Sequence, residues 1–166
     1  CGFGVFKNAV ADGGSVRCIT VPGGAKKLSR KEVDSLGEFV KTYRAKGLAW
    51  MAFEENGVRS PIAKFLTEDE IENIKQKALA NTGDIVLFVA DKDEVVFDSL
   101  GALRCEIAKR LDMIDKNDYK LLWVTEFPLL EYSEEENRYV AKHHPFTSPM
   151  DEDWEYIDSD PGRVRA

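Results

Sequence analysis

Short apolar runs and amphipathic stretches succeed one another along the first two thirds of the chain. FGVF at 3–6 and VRCITVP at 16–22 are apolar runs separated by a DGG triplet, a pattern that predicts two strands joined by a turn. A PGG break follows, and Ser29 to Glu32 then forms a capping box, in which the serine oxygen covers an orphan N–H and the glutamate reaches back. Val33, Leu36, Val40 and Tyr43 recur behind it at helical spacing, with Arg44, Lys46 and Gly47 as the expected stop. LAWMAF at 48–53 predicts a strand and ENG its turn. A second capping box, Thr67 to Glu70, opens a shorter helix with Ile71, Ile74 and Ala78 on its apolar stripe and Gly83 as its expected end.

DIVLFVAD at 84–91 is apolar without alternation, as a strand covered on both faces or central in a sheet would be. From Asp93, the residues Val96, Leu100, Leu103, Ile107 and Leu111 trace a long helix, with Lys109 and Arg110 suited to its negative C-terminal end. The order is ββαβ(α)βα. It predicts an α+β fold: a two-layer sandwich of a mostly antiparallel sheet with two main helices on one face and an extra helix inserted. Beyond it, LLWVTEFPLLEY at 121–132 and RYVAKHH at 138–144 flank a polar SEEEN, the pattern of a long β-hairpin. The acidic, Pro/Gly-punctuated 151–166 reads as a loose tail.

Composition narrows the functional classes. At 166 residues the chain holds one good core with trimmings, and no apolar run reaches the 18 or so residues of a membrane span. The CGFGVF start has no initiator Met, basic region or apolar leader, which reads as a piece of something longer. Three widely spaced cysteines give neither a disulfide framework nor a zinc cage and fit a reducing, cytoplasmic setting. The net charge of −7 is uneven: residues 1–66 carry 11 Lys/Arg against 6 Asp/Glu, and 67–166 carry 12 against 24. Only the basic N-terminal part, around Lys26, Lys27, Arg30 and Lys31, is suited to approach a nucleic-acid backbone.

Candidate chemistry is sparse. The VPGGA turn at 21–25 matches neither phosphate-loop pattern and reads as a tight exit. Glu134, Glu135 and Glu136 diverge at a solvated hairpin tip. Adjacent His143 and His144 point to opposite faces of an extended strand, an alternation that Pro145 would reinforce, so they are not expected to clasp one metal, and no metal site is expected. In that strand His143 shares a face with Tyr139 and Ala141. No G-x-S-x-G elbow precedes Ser148. The residues alone yield an α+β module, a two-histidine hairpin and no reaction.

FVKTYRAKGLAW (39–50), SPIAKFL (60–66), GDIVLFVAD (83–91), GALR (101–104), LLWVTEFPLLE (121–131) and HHPFTSP (143–149) together resemble, in order and spacing, bacterial-type aspartyl-tRNA synthetases. The resemblance implies a GAD insertion domain at 1–117 and a class II catalytic-core segment at 118–166, ending in the HHPF hairpin and a flexible tail. It implies a full-length parent, homodimeric like its family, that activates L-aspartate with ATP and Mg2+ and transfers it to tRNA. No membrane partner is implied. By the same resemblance His143 and His144 bind L-aspartate in the parent; His143 is favoured because it shares its face with Tyr139 and Ala141, and the positive charge around Lys26, Lys27, Arg30 and Lys31 makes that cluster the expected tRNA-facing surface. Motif 2 and motif 3 would lie outside this stretch, so no catalytic residue, bound cofactor or activity is expected of it alone. The alternative is a non-catalytic, tRNA-positioning GAD module of an amidotransferase subunit.

Overall fold

The computed structural model describes residues 1–144 and 146–166, and it divides into two compact units, Cys1–Asp115 and Lys116–Ala166. The expectation for Pro145 lies outside the described residues. In the first unit the elements run α1 (Gly4–Ala11), β1 (Ser15–Val21), α2 (Gly24–Lys27), α3 (Arg30–Lys41), β2 (Ala49–Glu54), β3 (Gly57–Arg59), α4 (Glu68–Lys77), β4 (Ile85–Asp91) and α5 (Asp93–Arg110). Its strands form one antiparallel sheet in the order β1-β4-β2-β3. The α+β class and the antiparallel sheet expected from the pattern are therefore present.

Strand β4 is central and buried at every position, because each of its two side-chain rows meets a layer of helices. Ile85, Leu87 and Val89 face a cluster with Val33, Leu36 and Val40 of α3 and Leu100, Leu103 and Ile107 of α5. Val86, Phe88 and Ala90 join Phe6 of α1, with Ile71 and Ile74 of α4 packed against them. The two main helices share one face as expected. The inserted helix and α1 cover the other, so the sheet is buried on both sides.

Residues 3–6 are a correction: FGVF enters a helix, not a strand. Extended through Val10, the apolar positions Phe3, Phe6 and Ala9 fall on one helical face, which packs on the sheet. The DGG triplet is a helix stop. Gly13, with φ of 81°, takes the left-handed position, its N–H donating to the Val10 carbonyl, while Gly14 N–H donates to the Ala9 carbonyl. The fourth strand is instead β3, paired with β2 across a two-residue turn after which Gly57, at φ 125°, adopts a conformation that side chains disfavour.

Both capping boxes form as expected, Ser29 with Glu32 and Thr67 with Glu70. The expected glycine stops do not. Helix α3 ends at Lys41 with Arg44 left-handed (φ 71°), α4 at Lys77 with Leu79 left-handed (φ 51°), and α5 at Arg110 with Asp112 left-handed (φ 50°). Each end is closed by the same pair of hydrogen bonds that closes α1, for example Leu79 N–H to Gln76 O and Ala80 N–H to Lys75 O.

In the second unit the hairpin is shorter than expected, β5 (Leu130–Ser133) against β6 (Arg138–Ala141). Glu126, left-handed at φ 56°, and Pro128 interrupt the segment before it, and Leu121 and Trp123 are 97% and 93% exposed. The expectation of a loose tail is also corrected: residues 164–166 run antiparallel to 127–129, with Leu129 N–H donating to Val164 O (2.9 Å) and Ala166 N–H to Phe127 O (2.8 Å). Those bonds belong to residues flanking Pro128, so its missing N–H leaves no gap in the pairing. Val164 is buried, and Gly162 lies so close to the Tyr139 ring that a Cβ there would sit 3.0 Å from its hydroxyl.

Candidate functional site

The histidines stand where β6 has ended. The paired strand ends at Ala141, Lys142 N–H still donates to Leu129 O (3.0 Å), and Lys142 and His143 form a bend. Tyr139 packs edge-on to Tyr132, whereas the His143 ring meets Phe127 edge-on at 4.4 Å between centroids. His144 tilts over Phe146 at 4.7 Å and its Nδ1 accepts the Phe146 N–H (3.3 Å). Both imidazoles are exposed and have separate aromatic neighbours, an arrangement that leaves ring nitrogens available to a polar ligand.

A feature that sequence reasoning missed stands behind this turn. Asp153, only 3% exposed, accepts Arg165 Nε at 2.8 Å, Arg165 Nη2 at 2.9 Å and the Arg165 backbone N–H at 2.9 Å. Glu152 and Glu126 lie 3.3 and 3.4 Å from the same guanidinium. The Arg165 hydrogen bonds, from side chain first and then backbone, hold the Asp153 carboxyl down to about 2. Neither periodicity nor spacing marks this pair, because it forms only when the chain turns back on itself.

In the first unit Lys26, Lys27, Arg30 and Lys31 are exposed at the α2–α3 junction. They differ in freedom. Arg30 pairs with Asp34 at 2.9 Å and lies 5.5 Å from the Trp50 ring, which Arg59 also approaches at 5.2 Å, while the three lysines have no ion-pair partner among the described residues. The neighbouring PGG turn already holds an anion of its own: Asp84 accepts Gly23 N–H through one oxygen and Asn81 N–H through the other, each at 2.8 Å. A phosphate would have to displace that carboxylate. On the α4 side, a groove of about 380 Å³ is lined by Phe6, Leu66, Ile74, Phe88 and Cys18, whose thiol burial pushes up.

Glu136 at the hairpin tip is paired with Arg138. Among the described residues no three His, Cys, Asp or Glu side chains converge on a common point.

The element order and strand pairing of Cys1–Asp115 define an α+β domain built on a four-stranded antiparallel sheet with both faces covered. The chain belongs to the GAD domain family, whose profile matches residues 6–100. Curated relatives extend the similarity through both units. Aspartate--tRNA ligase of Clostridium acetobutylicum is 61% identical over 165 residues, covering 99% of this chain and 28% of the relative. The aspartate--tRNA ligases of Ruminiclostridium cellulolyticum and Clostridium novyi are each 60% identical, over 100% and 99% of this chain and 28% of their own lengths. The chain thus spans a little over a quarter of the relatives it matches.

Proposed function

We propose that this chain is the GAD insertion domain, residues 1–117, and adjoining class II core segment, 118–166, of an aspartate--tRNA ligase that activates L-aspartate with ATP and transfers it to tRNA. The observation that carries the reading is identity near 60% across the whole chain, including the second unit, to proteins of that name. A GAD module of an amidotransferase subunit would account for the match over 6–100 but not for the match beyond it.

In this reading His143 and His144 donate hydrogen bonds to the substrate aspartate, supported by the exposed rings and their separate aromatic seats. The free lysines Lys26, Lys27 and Lys31 approach tRNA phosphates, and Arg30, already bound to Asp34 and beside Trp50, contributes less. Magnesium would serve to neutralise ATP phosphate charge in the parent. The described residues of this chain offer no converging ligand set for it. A cytoplasmic, homodimeric parent completes the reading; no helix among the described residues is long and apolar enough to cross a membrane.

Aspartate-dependent ATP–pyrophosphate exchange tests the proposal. The full-length protein performs it and charges tRNA, and the 166-residue chain alone does neither. Exchange absent from the full-length protein, or supported by glutamate or asparagine instead, overturns the reading. For the basic face, Lys26, Lys27 and Lys31 are changed together to Glu in the full-length enzyme. The Michaelis constant for tRNA should rise and depend less steeply on salt; an unchanged constant at low salt removes tRNA from this surface.

A further inference from the structure

Among the described residues the imidazoles make one hydrogen bond, Phe146 N–H to His144 Nδ1 within the turn itself, so the place of the turn is set by its backbone and ring contacts. Its near end is fastened by Lys142 N–H to Leu129 O (3.0 Å) and by the His143 ring on Phe127. Its far end is fastened by Met150 N–H to Arg165 O (2.9 Å). Both fastenings thus lie on two short antiparallel pieces, 127–129 and 164–166, whose mutual bonds run from Leu129 to Val164 and from Ala166 to Phe127. Arg165 is opposite Pro128 in that pairing, and Asp153 grips it by side chain and backbone together.

We propose that Asp153 and Arg165 are positioning residues that set the place of the His143–His144 turn, and through it the affinity of the parent enzyme for aspartate. The proposal rests on the reading that this turn touches the amino-acid substrate. A planar guanidinium meeting both carboxylate oxygens fixes orientation as well as distance, a constraint that a lysine ammonium cannot reproduce. Asp153 itself donates its N–H to Met150 O (2.9 Å), so the carboxylate that holds Arg165 sits on the backbone that leaves the turn. Turn, carboxylate and arginine therefore close one ring of contacts.

The test uses full-length enzyme carrying Asp153→Asn or Arg165→Lys, with His143→Ala and His144→Ala made in parallel, and measures pyrophosphate exchange against aspartate and ATP separately. The expected result is an aspartate Michaelis constant raised about tenfold in Asp153→Asn, because a displacement near 1 Å costs that much or more. Arg165→Lys should fall between wild type and Asp153→Asn, and the ATP constant should stay within about twofold in both. Unchanged aspartate constants in both variants, with a histidine variant that does raise it, overturn the positioning role alone. Aspartate and ATP constants that rise in the same proportion overturn it too, since general damage would do that. If both histidine variants are silent, the substrate reading of the turn fails and the positioning role falls with it. Should Asp153→Asn not fold, Arg165→Lys, which keeps the charge, carries the decision.

Discussion

Leu79 closes helix α4 in a conformation that leucine disfavours, and replacing it with glycine should stabilise the protein. Its φ is 51°, and its side chain is 83% exposed, so little apolar burial is lost on truncation. Holding a residue with a Cβ in the left-handed region costs about 1–2 kcal/mol. Glycine removes that strain but gives the unfolded chain more freedom, which returns roughly 0.4–1 kcal/mol. The net expectation for Leu79→Gly is a gain of about 0.5–1 kcal/mol, or a few degrees in Tm for a unit of this size. Leu79→Ala keeps the strained Cβ and should stay within about 0.5 kcal/mol of wild type. Urea titration followed by tryptophan emission reads this directly, because Trp50 is buried in the sheet core while Trp123 and Trp154 are exposed. A loss of stability in Leu79→Gly, or an equal gain in Leu79→Ala, would refute the assignment of strain to this helix end.

Phe6→Ala should cost about 3 kcal/mol in the same titration, since Phe6 is buried against Phe3 and Phe88, whereas Val5→Ala, on the exposed side of α1, should cost under about 0.5; equal costs would restore a strand. Ser29→Ala and Thr67→Ala should each lose about 1 kcal/mol and add in the double variant, because the two capping boxes share no partner. Iodoacetamide near neutral pH should label the exposed Cys1 and Cys105 before Cys18, whose thiolate is disfavoured by burial, as peptide mass spectrometry would show. The Asp153 carboxyl is held down to about 2, so the unfolded chain takes up its proton first as pH falls. Its contribution is complete above about pH 4 and is lost toward pH 2; Asp153→Asn should flatten that part of the acid-unfolding curve of the second unit.

Local signals carried much of this fold. The capping boxes and 3.6-residue stripes placed α3, α4 and α5, and the unbroken apolar run placed β4 at the sheet centre, because each is decided by neighbours a few residues away. DGG misled because a glycine pair ends a helix and turns a hairpin equally well, and four apolar residues are too few to separate the two periods. Three-residue β3 has a single apolar side chain, Val58, and left no pattern to read. The helix ends were displaced because Arg44, Leu79 and Asp112 take positions where composition points to glycine. The histidine turn was legible as a motif, but its seat on Phe127 and the Asp153–Arg165 grip behind it depend on chain pieces brought together from a distance. Composition made that same stretch look loose, yet the pairing of 164–166 with 127–129, buried Val164 and the Asp153 carboxylate all tie it down.

The strand order β1-β4-β2-β3 also sets a timetable. Strands β2 and β3 can zip together across their two-residue turn as soon as both exist, but β1 finds its partner only after everything between Val21 and Ile85 has been made. The keystone of the sheet is the last strand to leave the ribosome, and closing so long a loop is slow. Until Asp91 emerges, the apolar edges of β1 and β2 remain open to solvent and to other chains, so a translational pause before Ile85 is the moment at which this domain is most exposed to mispairing.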